Sequence, residues 1–177
     1  MQLSTFKQSL FTSKLTKLKY GIWLIISNFI FLTNIPYPSF IKVLVLKLFG
    51  AKIGNGVVIK PHVKIKFPWL LTIKDNVWLG ENVWIDNLSY VHLGSNVCIS
   101  QNSIILTGNH NYKLESFDLI TKPITIEDEV WVGANCFITN GITIQKKSVI
   151  LVSSTVIHST EEGFIYRGNP AVKLKKR

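Results

Sequence analysis

Acidic residues are absent from the first 74 residues of this 177-residue chain, a stretch that contains eleven lysines. The first carboxylate is that of Asp75, and the remaining residues hold nine Lys or Arg against ten Asp or Glu. The formal net charge of +10 therefore belongs to the N-terminal part, and the rest is close to neutral. A basic segment on a neutral body predicts an anionic partner, either lipid or nucleic acid, with a merely solvated basic surface as the alternative.

Cysteine is scarce as well. Cys98 and Cys136 both lie in apolar alternating segments and form no CxxC pair. This pattern excludes a disulfide framework and predicts reduced core thiols in a cytosolic protein. The four histidines are scattered and include no pair separated by four residues. We therefore expect no metal ion, which argues against a zinc enzyme built on three imidazoles.

A membrane-spanning run is also lacking. The apolar stretch over residues 20–33 is shorter than the roughly 20 residues that a spanning helix needs. It lies too far from the N-terminus for a signal peptide and has no small-residue cleavage site. Pro36 and Pro38 then break the chain, and a second apolar segment covers residues 40–49. Residues 1–50 are thus predicted to form an apolar, basic, helical N-terminal arm.

Two interpretations of this arm compete. Its helices either pack on the body or on a partner subunit, or they lie among the headgroups of an anionic leaflet with lysines on lipid phosphates. The lysines alternate with large aliphatic residues rather than with stacking aromatics, which favours lipid over nucleic acid. We therefore expect no nucleic-acid binding. We expect a cytoplasmic protein, and the sequence leaves open a peripheral contact of residues 1–50 with the inner face of the cytoplasmic membrane.

A six-residue repeat dominates the rest of the chain. Fifteen hydrophobic anchors stay in phase through two short insertions and one long one over residues 107–123. They are Ile53, Ile59, Ile65, Ile73, Leu79, Ile85, Leu93, Ile99, Ile105, Ile126, Val132, Ile138, Ile144, Ile150 and Val156. Each unit is one short strand and one turn, and three units close a triangular coil whose backbone pairs with the coils above and below. The repeat predicts an all-β fold, a parallel β-helix of about five coils over residues 51–158, followed by a C-terminal tail over residues 159–177. The connections between its parallel strands are expected to be left-handed, although such connections are usually right-handed.

Several motifs carry a more specific resemblance. They are residues 49–54, 82–87, 99–101, 107–110 and 168–171, which read FGAKIG, NVWIDN, ISQ, TGNH and GNPA. With the repeat, they resemble the hexapeptide-repeat acyltransferases, and among these the colanic-acid-type acetyltransferases related to maltose and galactoside O-acetyltransferases. The resemblance implies an O-acetyltransferase that uses acetyl-CoA and a sugar hydroxyl in bacterial exopolysaccharide, capsule or O-antigen biosynthesis. It also implies a homotrimer with active sites between neighbouring β-helices. The acceptor glycan, and whether it is lipid-linked, are not specified.

His110 is the predicted general base, both by resemblance and by position. It opens the one long insertion, and loops on a rigid scaffold commonly carry chemistry. An imidazole with a pKa of about 6.5 can take the proton of a hydroxyl that attacks a thioester. The resulting oxyanion needs a preorganised donor, and the resemblance assigns that role to a backbone N–H, here that of Ala134.

The resemblance also places the two substrates. The acceptor is expected near Asp86, Asn87 and Trp84, although an Asx turn at the corner is the alternative for the first two. The coenzyme is expected along the late coils and the basic C-terminus, where its phosphates need cations. The predicted cofactor-binding residues are Trp131, Gly133, Ser153, Ser154, Lys173 and Lys176.

The last coil departs from the resemblance. Leu151 and Val152 are larger than the family's residues and are expected to narrow the coenzyme groove, and His158 stands where the family has a lysine. Asn109 and Asn111 replace a serine and an aspartate around the histidine. A non-catalytic β-helix scaffold, or a membrane-associated interaction protein, is therefore the alternative function.

Overall fold

The structure is a computed structural model that describes Ser4 and residues 14–177. The part of the predicted arm that precedes Lys14 otherwise lies outside the described residues. Helices α1 (Lys14–Ile30) and α2 (Ser39–Leu48) come first and short strands follow. The strands are β1 (Lys52–Ile53), β2 (Val58–Ile59), β3 (Lys64–Ile65), β4 (Leu71–Ile73), β5 (Trp78–Leu79), β6 (Trp84–Asp86), β7 (Val91–Leu93), β8 (Cys98–Ile99), β9 (Ile104–Leu106), β10 (Gly108–His110), β11 (Leu119–Thr121), β12 (Ile124–Ile126), β13 (Trp131–Val132), β14 (Phe137–Ile138), β15 (Thr143–Ile144), β16 (Val149–Ile150), β17 (Thr155–Val156), β18 (Phe164–Arg167) and β19 (Val172–Lys176).

The strands form three parallel sheets, which are the faces of a triangular prism. Face A has the order β1-β4-β7-β12-β15, face B the order β2-β5-β8-β13-β16-β18, and face C the order β3-β6-β9-β14-β17. Each coil contributes one strand to each face, as the repeat predicts. We call the edges where the chain passes between faces the AB, BC and CA edges.

The solenoid extends beyond the five predicted coils to about six turns. Thr160 donates its N–H to the carbonyl of Thr143, and β18 pairs in parallel with β16. Strand β19 then turns back and pairs antiparallel with β18. The sequence pattern missed the extra turn because no six-residue anchor marks it after Val156.

All fifteen predicted anchors are buried, so the core runs as a column along the prism axis. The fourth position after an anchor forms a second inward-facing set, which includes Val63, Val83 and Val97. Backbone groups are satisfied between coils: the N–H of Val58, for example, donates to the carbonyl of Val77. Aliphatic burial and these parallel ladders together account for the repeat.

The turns at the AB and BC edges contain a signal that the sequence analysis did not use. The third residue after the anchor has a positive φ near 55–60°, a region that asparagine tolerates better than most residues. The non-glycine residues with this conformation are His62, Asn76, Asn82, Asn96, Asn102, Glu129, Asn135, Lys147 and Ser153. Asparagine at this spacing therefore marks the coil corners.

The two helices pack on the first coils and confirm the predicted helical arm. The indole of Trp23 donates to the carbonyl of Ile65 at 2.8 Å. Lys42 is buried, and its Nζ donates to the carbonyls of Ile59 and Lys60 at 3.2 and 3.1 Å. Burial lowers the pKa of Lys42. Within the described residues, no helix is both long and apolar enough to cross a bilayer.

Candidate active site

The long insertion folds into an antiparallel hairpin on the CA edge, between β9 and β12. Strands β10 and β11 pair Gly108 with Thr121 and His110 with Leu119. A Cβ on Gly108 would lie 2.7 Å from the side chain of Leu88, so glycine lets the base of the hairpin rest on the preceding coil. The hairpin therefore projects His110 from a rigid support.

The backbone of the hairpin fixes the imidazole of His110. Its Nδ1 lies 2.8 Å from the carbonyl oxygen of Phe117. A carbonyl only accepts hydrogen bonds, so Nδ1 carries the proton and the lone pair of the neutral ring is on Nε2. The ring of Phe117 also stacks on the imidazole, with centroids 4.2 Å apart and planes 3° apart. The hydrogen bond and the stacked ring thus fix the orientation and the tautomer of the imidazole.

Phe117 is a functional candidate that the sequence analysis missed. Its φ of +51° lies in the left-handed region, which costs a non-glycine residue about 1 kcal/mol or more. No repeat or motif in the sequence marks this residue, because its role depends on the backbone path of the hairpin.

The two asparagines beside His110 brace the hairpin. Asn109 Oδ1 accepts the N–H of His110 at 2.8 Å, and Asn111 Oδ1 accepts the N–H of Lys113 at 3.2 Å. The departures from the resemblance at these positions therefore act on the backbone around the imidazole.

The predicted acceptor residues divide into two groups. Asp86 and Trp84 line a cavity of about 280 Å³ between α1 and face C. Asn87 is wholly buried, and its side-chain amide hydrogen-bonds to both the N–H and the carbonyl of Phe67, at 2.9 and 2.7 Å. Asn87 therefore secures the CA edge by hydrogen bonds to the neighbouring coil rather than by a local Asx turn, and this placement does not favour a sugar contact.

Lys66 lines the same cavity as Asp86 and Trp84, and the sequence analysis did not identify it. Its Nζ lies 2.9 Å from the Oδ1 of Asp86 in an ion pair. That oxygen is buried, and the ion pair with Lys66 is its polar contact within the described residues. The register of β3 with β6 places residues 20 apart side by side, so the spacing of Lys66 and Asp86 was a usable signal.

A groove follows the BC edge over coils three to five. It is a cleft of about 370 Å³ lined by Ser100, Gln101, Trp131, Gly133, Ala134, Ile150, Leu151 and Val152. Trp131 donates its indole N–H to the hydroxyl of Ser100 at 3.0 Å. A Cβ on Gly133 would lie 2.8 Å from the N of Val152, so only glycine permits this coil spacing. A second cleft of about 400 Å³ continues the groove toward the first coils through Ser100 and Gln101.

The turn N–H groups of this groove differ from those of the AB edge. At the AB edge, carboxylates accept three of the five equivalent N–H groups, those of Asn55, Ser95 and Lys146, at 2.7–2.9 Å. The N–H groups of Asp75 and Asp128 have no acceptor within the described residues. At the BC edge, the N–H groups of Gln101, Ala134 and Val152 have no acceptor within the part of the chain that the structure describes. The N–H of Ala134 is thus available to an oxyanion. The neighbouring turns share this property, so its assignment stays a prediction.

Comparisons with known proteins show the same architecture. The family of the hexapeptide repeat of succinyl-transferase matches residues 123–151. The chain is 38% identical over 136 residues to the protein named as colanic acid biosynthesis acetyltransferase WcaF of Escherichia coli (strain K12), covering 77% of this chain and 75% of that protein. A hexapeptide-repeat-containing acetyltransferase from Vibrio cholerae has a TM-score of 0.83 at 24% identity, covering 93% of this chain and 94% of that one. The chain belongs to the hexapeptide-repeat acetyltransferase family.

Family members have also been crystallised with coenzymes. The Vibrio cholerae protein has a second structure in complex with acetyl coenzyme A, with a TM-score of 0.81 at 22% identity, covering 93% of this chain and 90% of that one. A galactoside acetyltransferase in complex with coenzyme A has a TM-score of 0.77 at 22% identity, covering 93% of this chain and 84% of that one. The solenoid of this acetyltransferase is the left-handed β-helix of its family, and the protein is an acyltransferase.

The C-terminal residues of this acetyltransferase are unequally placed for a coenzyme. Ser153 is exposed at the BC edge, whereas Ser154 is wholly buried and its hydroxyl accepts the N–H of Gly168. Lys173 pairs with Glu161 at 2.6 Å, and this hydrogen bond raises the pKa of Lys173. Lys176 is exposed on β19. This placement favours Ser153 and Lys176 over Ser154 and Lys173 as coenzyme contacts.

The two cysteines and His158 have surroundings typical of structural rather than reactive side chains. Cys136 is buried and donates to the carbonyl of Leu151, while Cys98 lies beside Trp78 and Trp131 on face B. Burial raises the pKa of both thiols. His158 is exposed after the last β-helix strand. Within the described residues, no three His, Cys, Asp or Glu side chains are grouped to hold a metal ion.

Proposed function

We propose that this acetyltransferase transfers the acetyl group of acetyl-CoA to a sugar hydroxyl, with His110 as the general base. The single observation that carries the proposal is the hydrogen bond between Nδ1 of His110 and the carbonyl of Phe117, which leaves Nε2 as the basic atom. The sugar-related names of the relatives and their coenzyme complexes support the substrates. Exopolysaccharide, capsule or O-antigen synthesis is the proposed setting.

The mechanism needs one base and one oxyanion donor. Nε2 of His110 takes the hydroxyl proton as the sugar oxygen attacks the thioester carbonyl carbon. The N–H of Ala134 stabilises the tetrahedral oxyanion. The new C–O ester bond remains, the C–S bond breaks, and the imidazolium returns the proton to the coenzyme thiolate. Throughout, the carbonyl of Phe117 stabilises the imidazolium through Nδ1–H.

The donor is proposed to lie in the BC-edge groove. Trp131 forms one wall of this groove. Gly133 has no side chain and so leaves room for the coenzyme to lie across the bottom of the groove. Leu151 and Val152 line the same cleft, which nevertheless retains about 370 Å³. Exposed Ser153 and Lys176 are the further candidates for polar contacts with the coenzyme.

The acceptor is proposed to contact Asp86. Its carboxylate can accept a hydrogen bond from a sugar hydroxyl, while the ammonium group of Lys66 balances the charge of the carboxylate. Trp84 is half-exposed in the same cavity and offers an apolar wall for a sugar ring. The cavity continues along α1 through Leu24 and Leu32, which is compatible with an acceptor that carries a lipid.

A homotrimer is proposed because one chain holds the parts of the site on different edges. The hairpin with His110 rises from the CA edge, and Ala134 lies on the BC edge. The outward strand positions also differ between faces. On face A they are polar, whereas faces B and C carry exposed Trp78, Trp131 and Phe137. Contacts between copies through the apolar faces would bring a hairpin to a neighbour's groove.

The test is acetyl-CoA turnover, followed by release of the free thiol, over a panel of sugars and lipid-linked oligosaccharides. We expect His110→Ala to lower kcat by about 10²–10⁴-fold. The matched control is His92→Ala, a second histidine that lies on the outside of face A. If native protein neither binds nor turns over acetyl-CoA, or if both variants retain full activity, the proposed function is wrong.

A further inference from the structure

Helix α1 carries two apolar stripes, although a helix on a protein surface needs only one. The first stripe packs on the β-helix and includes Trp23, Ser27 and Ile30. The second faces away from the body and follows a spacing of three and four residues. Its members are Leu15, Leu18, Ile22, Ile25 and Phe29, which are 45–76% exposed. The second stripe is therefore unexplained by the fold of this chain.

Helix α2 and the connection between the two helices carry further exposed apolar residues. Phe40, Leu44 and Leu48 recur every four residues on one side of α2 and are 57–75% exposed. Ile35, in the connection between the helices, is also exposed. We call these nine residues, five on α1, three on α2 and Ile35, the arm surface. Exposed apolar surface on this scale marks an interaction site.

The charges near the arm surface have one sign. Lys14 lies four residues before Leu18 and Lys47 three residues after Leu44, so each shares a helix face with an apolar residue of the surface. Lys14, Lys17 and Lys47 are exposed. No acidic residue occurs before Asp75, so nothing in this part of the chain neutralises them.

The helices are anchored to the body. Trp23 donates to the backbone of β3, and its ring packs against Phe31 and Phe49 with centroids 5.4 and 5.2 Å apart. The Nζ of Lys19 lies 4.6 Å above the ring of Trp69. Because the inner stripe is fixed in this way, the outer stripe is presented in a fixed direction.

We propose that the arm surface lies in the headgroup region of an anionic lipid leaflet. A bilayer offers acyl chains to the leucine, isoleucine and phenylalanine side chains and phosphates to the lysines. A second copy meeting the same surface would bring lysines against lysines with no carboxylate between them. The charge pattern therefore favours lipid over self-association. The proposal does not depend on acyl transfer.

The test is co-sedimentation of the full chain with vesicles of phosphatidylglycerol and phosphatidylcholine, and with vesicles of phosphatidylcholine alone. We expect binding to the anionic vesicles that weakens as salt is raised. The double variant Leu18→Gln/Ile25→Gln should lower that partition by about tenfold or more, because it removes two apolar side chains that the proposal buries in the lipid. Lys14→Gln/Lys17→Gln should weaken binding to the anionic vesicles only.

The matched control is Ile157→Gln/Val172→Gln, which changes two exposed apolar residues far from the arm in sequence and should leave vesicle binding unchanged. Glutamine is a good helix former, and circular dichroism verifies that each variant is folded. Failure of the native chain to bind anionic vesicles would overturn the proposal. So would a result in which Leu18→Gln/Ile25→Gln changes the sedimenting mass of lipid-free protein but not its vesicle binding, because the arm surface would then be a protein interface.

Discussion

The AB and BC edges are built from the same six-residue repeat, yet within the described residues carboxylates cap turn N–H groups along the AB edge and none along the BC edge. Carboxylates of Asp75 and Asp128 cap turn N–H groups along the AB edge. Along the BC edge, Trp131 and Gly133 border a groove whose turn N–H groups have no acceptor in the described residues. The difference teaches that the anchors build the prism, whereas the turn residues decide how many turn N–H groups each edge leaves without an acceptor.

The most severe test of this contrast removes one N–H from the BC edge. Ala134→Pro deletes the proposed oxyanion donor, and Pro61 already occupies the equivalent turn position in the first coil. We therefore expect a folded protein with kcat lowered by about 10²–10³-fold. Steady-state kinetics with acetyl-CoA measure the effect.

Glu81→Pro is the matched control for Ala134→Pro, because Glu81 has the same turn position two coils earlier. It should leave kcat close to the native value. Equal losses in the two variants would mean that proline damages the edge in general and that Ala134 has no special role.

The hairpin on the CA edge extends the comparison to a segment that the six-residue repeat does not encode. Phe117→Leu keeps the carbonyl that accepts Nδ1–H of His110 but removes the stacked ring. We expect kcat to fall by about tenfold through misplacement of the imidazole, with little change in the KM for acetyl-CoA.

Tyr112→Leu provides the comparison for Phe117→Leu, because Tyr112 is an exposed aromatic on the same hairpin. Its kcat should stay close to that of the native protein. If both variants lose activity equally, the ring of Phe117 stabilises the hairpin rather than positioning His110.

The smallest effect is expected at the AB edge. Asp128→Ala leaves the N–H of Ser95 without its acceptor and should lower the free energy of unfolding by about 1 kcal/mol. Thermal unfolding should show this as a lower Tm, while kcat and KM stay at native values. A loss of acetyl-CoA affinity in this variant would contradict the assignment of the donor to the BC edge.

The fold was predictable because its information is local and repeated. Every anchor from Ile53 to Val156 is buried, as the six-residue spacing requires. The pairing of Lys66 with Asp86 was also within reach, since one coil separates them by 20 residues. Asn87 shows the limit: its polar side chain resembles that of a substrate contact, yet both of its polar atoms bind the backbone of Phe67.

The hairpin was less predictable. The sequence marked His110 by its place in an insertion, but Phe117 became visible only through the backbone path that brings its carbonyl to Nδ1. Likewise, β18 extends the solenoid by hydrogen bonding to β16 without an anchor to announce it. Contacts that depend on a loop's path, rather than on a repeat, leave little trace in the sequence.

The central claim is that His110 of one copy acts at the BC edge of another, and complementation tests it directly. His110→Ala and Ala134→Pro are co-expressed, and the mixed assemblies are assayed for acetyl-CoA turnover. In a cyclic trimer with random mixing, about a quarter of the sites regain both native groups, so about a quarter of native activity should return. Activity that stays at the level of the separate variants would contradict the shared site.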